Sequence, residues 1–106
     1  MLPTLSSTSL PLLLTTLLLL IELTSAWRLL VNYSDGVQVK RHGHHNSHCR
    51  RFQKTDAPIT SAYFEKSLSA DTFVLYHDAK CKEEGYKGHK GNNPVPVTKY
   101  LSYKVY

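Results

Sequence analysis

Beyond residue 26, no stretch of this chain repeats its apolar residues at the three- and four-residue spacing of an amphipathic helix. They fall instead in short β-branched and aromatic runs cut by glycines and prolines. That pattern argues against a helical bundle and predicts a small all-β sandwich or barrel. The run Thr72–His77 inside TFVLYHDAKCKEEG reads as its central strand, with Asp78, Cys81 and Gly85 marking the turn beyond.

Residues 1–26 have the pattern of a cleaved secretory signal. Leu10 to Ile21 form a Leu-rich core, and Thr24-Ser25-Ala26 supplies the small residues that precede a cut before Trp27. No Lys or Arg precedes that core, a departure from the usual signal. Pro11, Thr15 and Thr16 interrupt a run already shorter than the roughly 20 apolar residues of a membrane span, so no transmembrane segment is expected. The remaining 27–106 segment is the size of one small domain. Since Glu22 is the one acid before residue 27, its loss raises the net charge from +5 to +6. A charge of that sign favours anionic surfaces and says nothing about fold.

The chain has two cysteines. In a small secreted domain they are expected to form one disulfide, Cys49–Cys81, with an intermolecular bridge as the alternative.

Along the chain, Trp27, Leu29, Val31 and Tyr33 alternate with mostly polar residues, the period of a half-buried strand. Ser34-Asp35-Gly36 turns it into a hairpin with Val37–Lys40. Asn32-Tyr33-Ser34 is a glycosylation sequon, with Asn32 on the outer face. His42–His48 reads as a loop, and Ile59–Lys66 as a strand in which a turn of helix around Ala62–Lys66 is the one helical option. Gly85 to Pro94 reads as a long loop, and Pro94 and Pro96 delay the last strand to about Val97.

Phe73-Val74-Leu75-Tyr76-His77-Asp78, followed by Cys81 and Gly85-Tyr86, resembles the folded hairpin of β/γ-crystallin Greek keys. Ser102-Tyr103-Lys104-Val105 resembles the strand that closes such a motif, and the Trp27 strand with its Asp-Gly turn looks like the same theme. The chain is similar to small secreted fungal proteins carrying a crystallin-like domain. The resemblance implies a small Greek-key β-sandwich over 27–106. It also directs attention to calcium, for which the nearest stretch is Asp56-Ala57-Pro58-Ile59-Thr60-Ser61. Ala57 removes one of its two leading oxygen donors, and the equivalent positions before Ser102 hold Val97, Thr98 and Leu101, so calcium is not expected.

Three constellations bear on chemistry. His42, His44, His45 and His48 could converge on zinc or copper if their loop folds back, with Cys49 a further ligand only if reduced. Glu65, His77 and Arg50 or Arg51 are residue types of a small ribonuclease, at no diagnostic spacing. Lysines interleave with tyrosines from Lys80 to Tyr106, a pattern suited to an anionic cell-wall polymer or membrane surface. No Ser-His-Asp or zinc-protease pattern is present. The sequence therefore leads to a secreted, non-catalytic binding protein, toxin-like or effector-like, with no specific nucleic-acid partner. Metal binding at the His loop and ribonuclease activity are its alternatives.

Overall fold

The alternation that opens the domain is realised in β1 (Trp27–Tyr33), which buries Trp27, Leu29, Val31 and Tyr33 on one face. The computed structural model describes residues 26–106, so the expected leader, except for Ala26, lies outside the described residues. After β1 come β2 (Gln38–Gly43), β3 (Arg50–Arg51), β4 (Ile59–Glu65), β5 (Phe73–Tyr76), β6 (Glu84–Gly88), β7 (Gly91–Thr98) and β8 (Ser102–Val105). They form two antiparallel four-stranded sheets, ordered β2-β1-β4-β7 and β3-β8-β5-β6.

The connectivity of β1–β4 is repeated by β5–β8. In each half the first two strands form a hairpin and the fourth pairs with the free side of the first. The third strand crosses over and pairs with the fourth strand of the other half. Neither sheet is complete without both halves of the chain.

Leu29, Ile59, Phe64, Phe73, Leu75 and Val105 fill the space between the sheets and are almost wholly buried. Phe64 of one sheet meets Phe73 of the other with ring centroids 5.2 Å apart. Strand β5 is buried on both faces, because Val74 and Tyr76 pack outward under Cys81 and Cys49. The expected disulfide forms, with Cα atoms 5.8 Å apart, and ties the segment entering β3 to the β5–β6 turn.

Ser102 anchors that turn from below. Its buried hydroxyl donates to the Asp78 carbonyl and accepts from the Cys81 amide. Above it, the Asp78 carboxylate accepts from the amides of Lys80, Lys82 and Glu83. Those bonds, Glu83 foremost, hold its pKa below the ordinary 3.8.

Four expectations need correction. Gly85 to Pro94 is not a loop; it holds β6 and the start of β7, joined by a tight turn in which Gly91 takes φ +95°. Buried Asn93 makes this turn by donating to the carbonyls of His89 and Gly91 and accepting from the Tyr86 hydroxyl. Pro94 and Pro96 lie within β7, an edge strand where a missing amide need not interrupt the ladder. The last strand consequently starts at Ser102, and Val97 belongs to β7. Strand β2 also continues past Lys40 to Gly43, and Arg50–Arg51 is a short strand of its own. Ala62–Lys66 contains no helical turn; β4 runs through Glu65.

Removing the Ser102 hydroxyl leaves a buried amide and carbonyl without their partner. Ser102→Ala is expected to cost about 1–3 kcal/mol, read as a lower urea midpoint at an unchanged m-value.

Candidate functional site

The third-strand exchange leaves the flanks of the sandwich unequal. On one flank, β6 and β7 are joined by the tight turn at His89-Lys90. On the other, the edge strands β2 and β3 border an open groove of about 710 Å³. The pleat determines what faces it. Arg41 is paired with Leu29, whose side chain points into the core, so Arg41 projects from the inner face of its sheet. Arg50 is paired with Tyr103, another core-facing residue, and projects from the inner face of the opposite sheet. The Arg41 and Arg50 side chains thus leave the inner faces of opposing sheets beside one groove, where Arg41 also donates to the Lys40 carbonyl at 2.9 Å, and Arg51, His42, His44 and His45 border it.

The loop over this groove is held at both ends. Trp27 Nε1 donates to the His45 carbonyl at 2.8 Å, and Ser69 Oγ donates to the His44 carbonyl at 3.0 Å. Ser47 exchanges two bonds with Val105, its amide donating to the Val105 carbonyl and its hydroxyl accepting from the Val105 amide. Gly43 is required where β2 passes over the indole, since a Cβ there would lie 2.8 Å from Trp27 Cζ2. Two residues beyond Ser47, the disulfide fixes the start of β3. The wall carrying Arg50 and Arg51 is thereby set in place on a strand of only two residues.

The charges are sorted across the molecule. No carboxylate lines the groove among the described residues. Glu65 borders a neighbouring hollow and faces Arg28 at 4.0 Å. At the other end of the sandwich, Lys54 Nζ lies 2.7 Å from Asp35 and 2.8 Å from Asp56, and 5.3 Å from the Tyr33 ring centroid. Tyr103, at the groove floor, has its pKa raised by burial, while the nearby Arg41 and Arg50 charges oppose that rise.

The structure separates several residues that the sequence grouped. His42 lies on β2 opposite Arg28 and points to the outer face, because the strand extends through Gly43; His44 and His45 follow in the loop. His48 is not among the groove residues. Among the described residues, no three His, Cys, Asp or Glu side chains are grouped so as to hold a metal ion, and Cys49 is committed to the disulfide. Glu65 and His77 occupy opposite ends of the sandwich. Glu65 ends β4 beside Arg28, whereas His77 stacks on Tyr100 beside the Lys99 carbonyl, next to the Ile59 end of that strand. The six-residue rise of β4 alone puts them on the order of 20 Å apart. Asp56, the leading residue of the calcium-like stretch, is already engaged by the Lys54 ammonium. Asn32 lies on the outer face as expected, its amide donating to Ser61 and its carbonyl oxygen accepting from Gln38.

Sequence reasoning missed Arg41, Trp27 and Tyr103 as groove residues. For Arg41 the signal was available in the alternation Val39-Arg41-Gly43, which continues the inward parity of β2 and places a cation where an apolar residue is expected. Comparison with protein-family models, curated proteins and solved structures returned no match.

Two predictions follow from this geometry. The disulfide closes a sequence separation of 32 residues. Cys49→Ser with Cys81→Ser should lower stability by about 4 kcal/mol in denaturant melts, and amide exchange should quicken first around β3.

The second concerns Lys54. Its bonds to Asp35 and Asp56 push its pKa up to about 12 and hold both carboxylates below 3.8. The depressed acids stabilise the fold above 3.8, a contribution lost as pH falls through their lower folded values. The raised lysine stabilises it below 10.5, a contribution lost as pH rises through about 12. Lys54→Met should therefore melt below the parent by a constant margin between about pH 5 and 9, and the margin should shrink below about pH 4.

Proposed function

We propose that this chain is a secreted, non-catalytic binding protein with a crystallin-like pair of Greek keys, and that it holds an anionic cell-wall polymer in the groove between β2 and β3. The leader supports secretion. The repeated connectivity, with third strands exchanged between sheets, supports the Greek-key reading beside the resemblance in its hairpins. One observation carries the binding function: Arg41, Arg50 and Arg51 share a concave groove that no acid lines among the described residues. Like charges gathered this way favour an anionic occupant.

A polymer suits the site better than a bilayer. The cationic surface is a groove, whereas the exposed large apolar side chains among the described residues, Val37, Leu68, Val97 and Tyr106, belong to four separate segments: the β1–β2 turn, the β4–β5 connection, β7 and the residue after β8. No helix among the described residues is long and apolar enough to cross a membrane. The separation of Glu65 from His77 gives the ribonuclease alternative no shared site, and the His residues offer the metal alternative no group of three.

Co-sedimentation with insoluble acidic wall polysaccharide tests the proposal. Binding is expected at low salt and should weaken steadily as ionic strength rises. Arg41→Ala, Arg50→Ala and Arg51→Ala together should weaken it at least about tenfold, with the polymer recovered at unchanged length. Binding to anionic vesicles alone, or full retention by the triple variant, would refute it.

A further inference from the structure

The glycosylation sequon has no part in the groove, and the fold determines where a sugar on it would stand. Of the four asparagines, Asn32 alone is followed two residues on by a hydroxyl residue. Asn46, which lines the groove, precedes Ser47-His48, and Asn92 and Asn93 lead into Pro94-Val95. Asn32 sits in β1, a strand internal to its sheet, between core-facing Val31 and Tyr33, so its side chain is directed to the outer face. Its partners across the sheet are Gln38 on β2 and Ser61 on β4, with Pro94 of β7 beyond Ser61. Among the described residues, no further layer of strands or helices covers that face. We infer that Asn32 carries an N-linked oligosaccharide that stands on the outer face of this sheet and leaves the groove open. The inference rests on the secretion proposed above and not on the ligand of the groove.

In the transfer, the Asn32 amide nitrogen attacks the anomeric carbon of an oligosaccharide carried as a lipid pyrophosphate ester. The nitrogen–carbon bond forms, the bond from that carbon to the pyrophosphate oxygen breaks with its electron pair, and one Nδ2 proton passes to a base on the transferase. The folded chain has room for the product. Nδ2 donates one proton to Ser61 Oγ at 3.0 Å, and Oδ1 accepts from Gln38 Nε2 at 2.9 Å, so by valence one proton can be replaced with both bonds kept. Addition precedes folding, because β1 is paired on both sides and Tyr33, the middle residue of the sequon, is 3% exposed in the finished domain. Along β2, Arg41 lies three residues beyond Gln38, about 10 Å on, and projects to the opposite face. The root of the sugar and the cation of β2 thus lie on opposite faces of one sheet.

The test expresses the full 106-residue chain with its own leader in a eukaryotic secretory host and compares the intact mass of the secreted protein before and after peptide-N-glycosidase. One oligosaccharide is expected, and its removal should convert Asn32 to Asp in the tryptic peptide 29–40. Ser34 is exposed and holds its place through its backbone amide, which donates to the Pro58 carbonyl at 2.9 Å. Ser34→Ala should therefore melt with the parent yet emerge unmodified. A secreted parent without sugar, sugar retained by Ser34→Ala, or a glycan mapped to another residue would overturn the site. The sugar-bearing and enzymatically freed proteins should hold acidic wall polysaccharide with affinities within about twofold of each other. A greater loss in the sugar-bearing form would overturn its placement away from the groove. Failure of both forms to bind would refute the groove function and leave the glycan, read by mass, in place. A parent kept in the cell with its leader uncut would refute secretion and the glycan together.

Discussion

The exchange of third strands between the two halves is the constraint on which the rest of this structure depends. Since β3 must complete the sheet built on β5 and β8, the chain leaving β2 has to cross from one sheet to the other within the His44–Cys49 segment. A crossing that short keeps the β2 and β3 edges together on one flank and creates the groove. It also explains the position of the disulfide. A two-residue strand supplies little pairing energy of its own, and a covalent bond at its first neighbour holds it in register.

Charge is distributed in keeping with that architecture. At the Tyr33 end, Lys54 bridges Asp35 from the β1–β2 turn and Asp56 from the segment leading to β4. Asp78 is turned inward on three backbone amides and organises the β5–β6 turn instead of meeting a cation. With these acids committed elsewhere, the arginines at the mouth of the groove have no carboxylate partner there. Satisfied polar groups stabilise the fold at several turns, while the groove beside β2 and β3 gathers cations with no carboxylate among its described lining.

Much of the fold was legible because local pattern and tertiary environment agree. The alternation in Trp27–Tyr33, the Asp-Gly turn and the apolar run of β5 each match what the strand buries. Where reading failed, the cause was an edge. Pro94 and Pro96 would disrupt a central strand, and only the position of β7 at the margin of its sheet makes them acceptable. Similarly, the strand pattern ended at Lys40 and His42 looked like the start of a polar loop, because an edge strand with one solvated side carries few of the apolar residues that mark a strand.

The sequence by itself determined the all-β class, the inward set of β1, the β1–β2 hairpin and the cysteine pair. These depend on a period of two, on turn chemistry and on the number of cysteines, all of which are local or countable. Only the tertiary structure decided that Arg41 and Arg50 border one groove from opposing sheets, that His42 takes the outward parity of its strand, and that Glu65 and His77 lie at opposite ends. The reason is physical. A side chain's direction on a strand follows from register, and register between strands nine or fifty residues apart is set by how both sheets bury their apolar faces together.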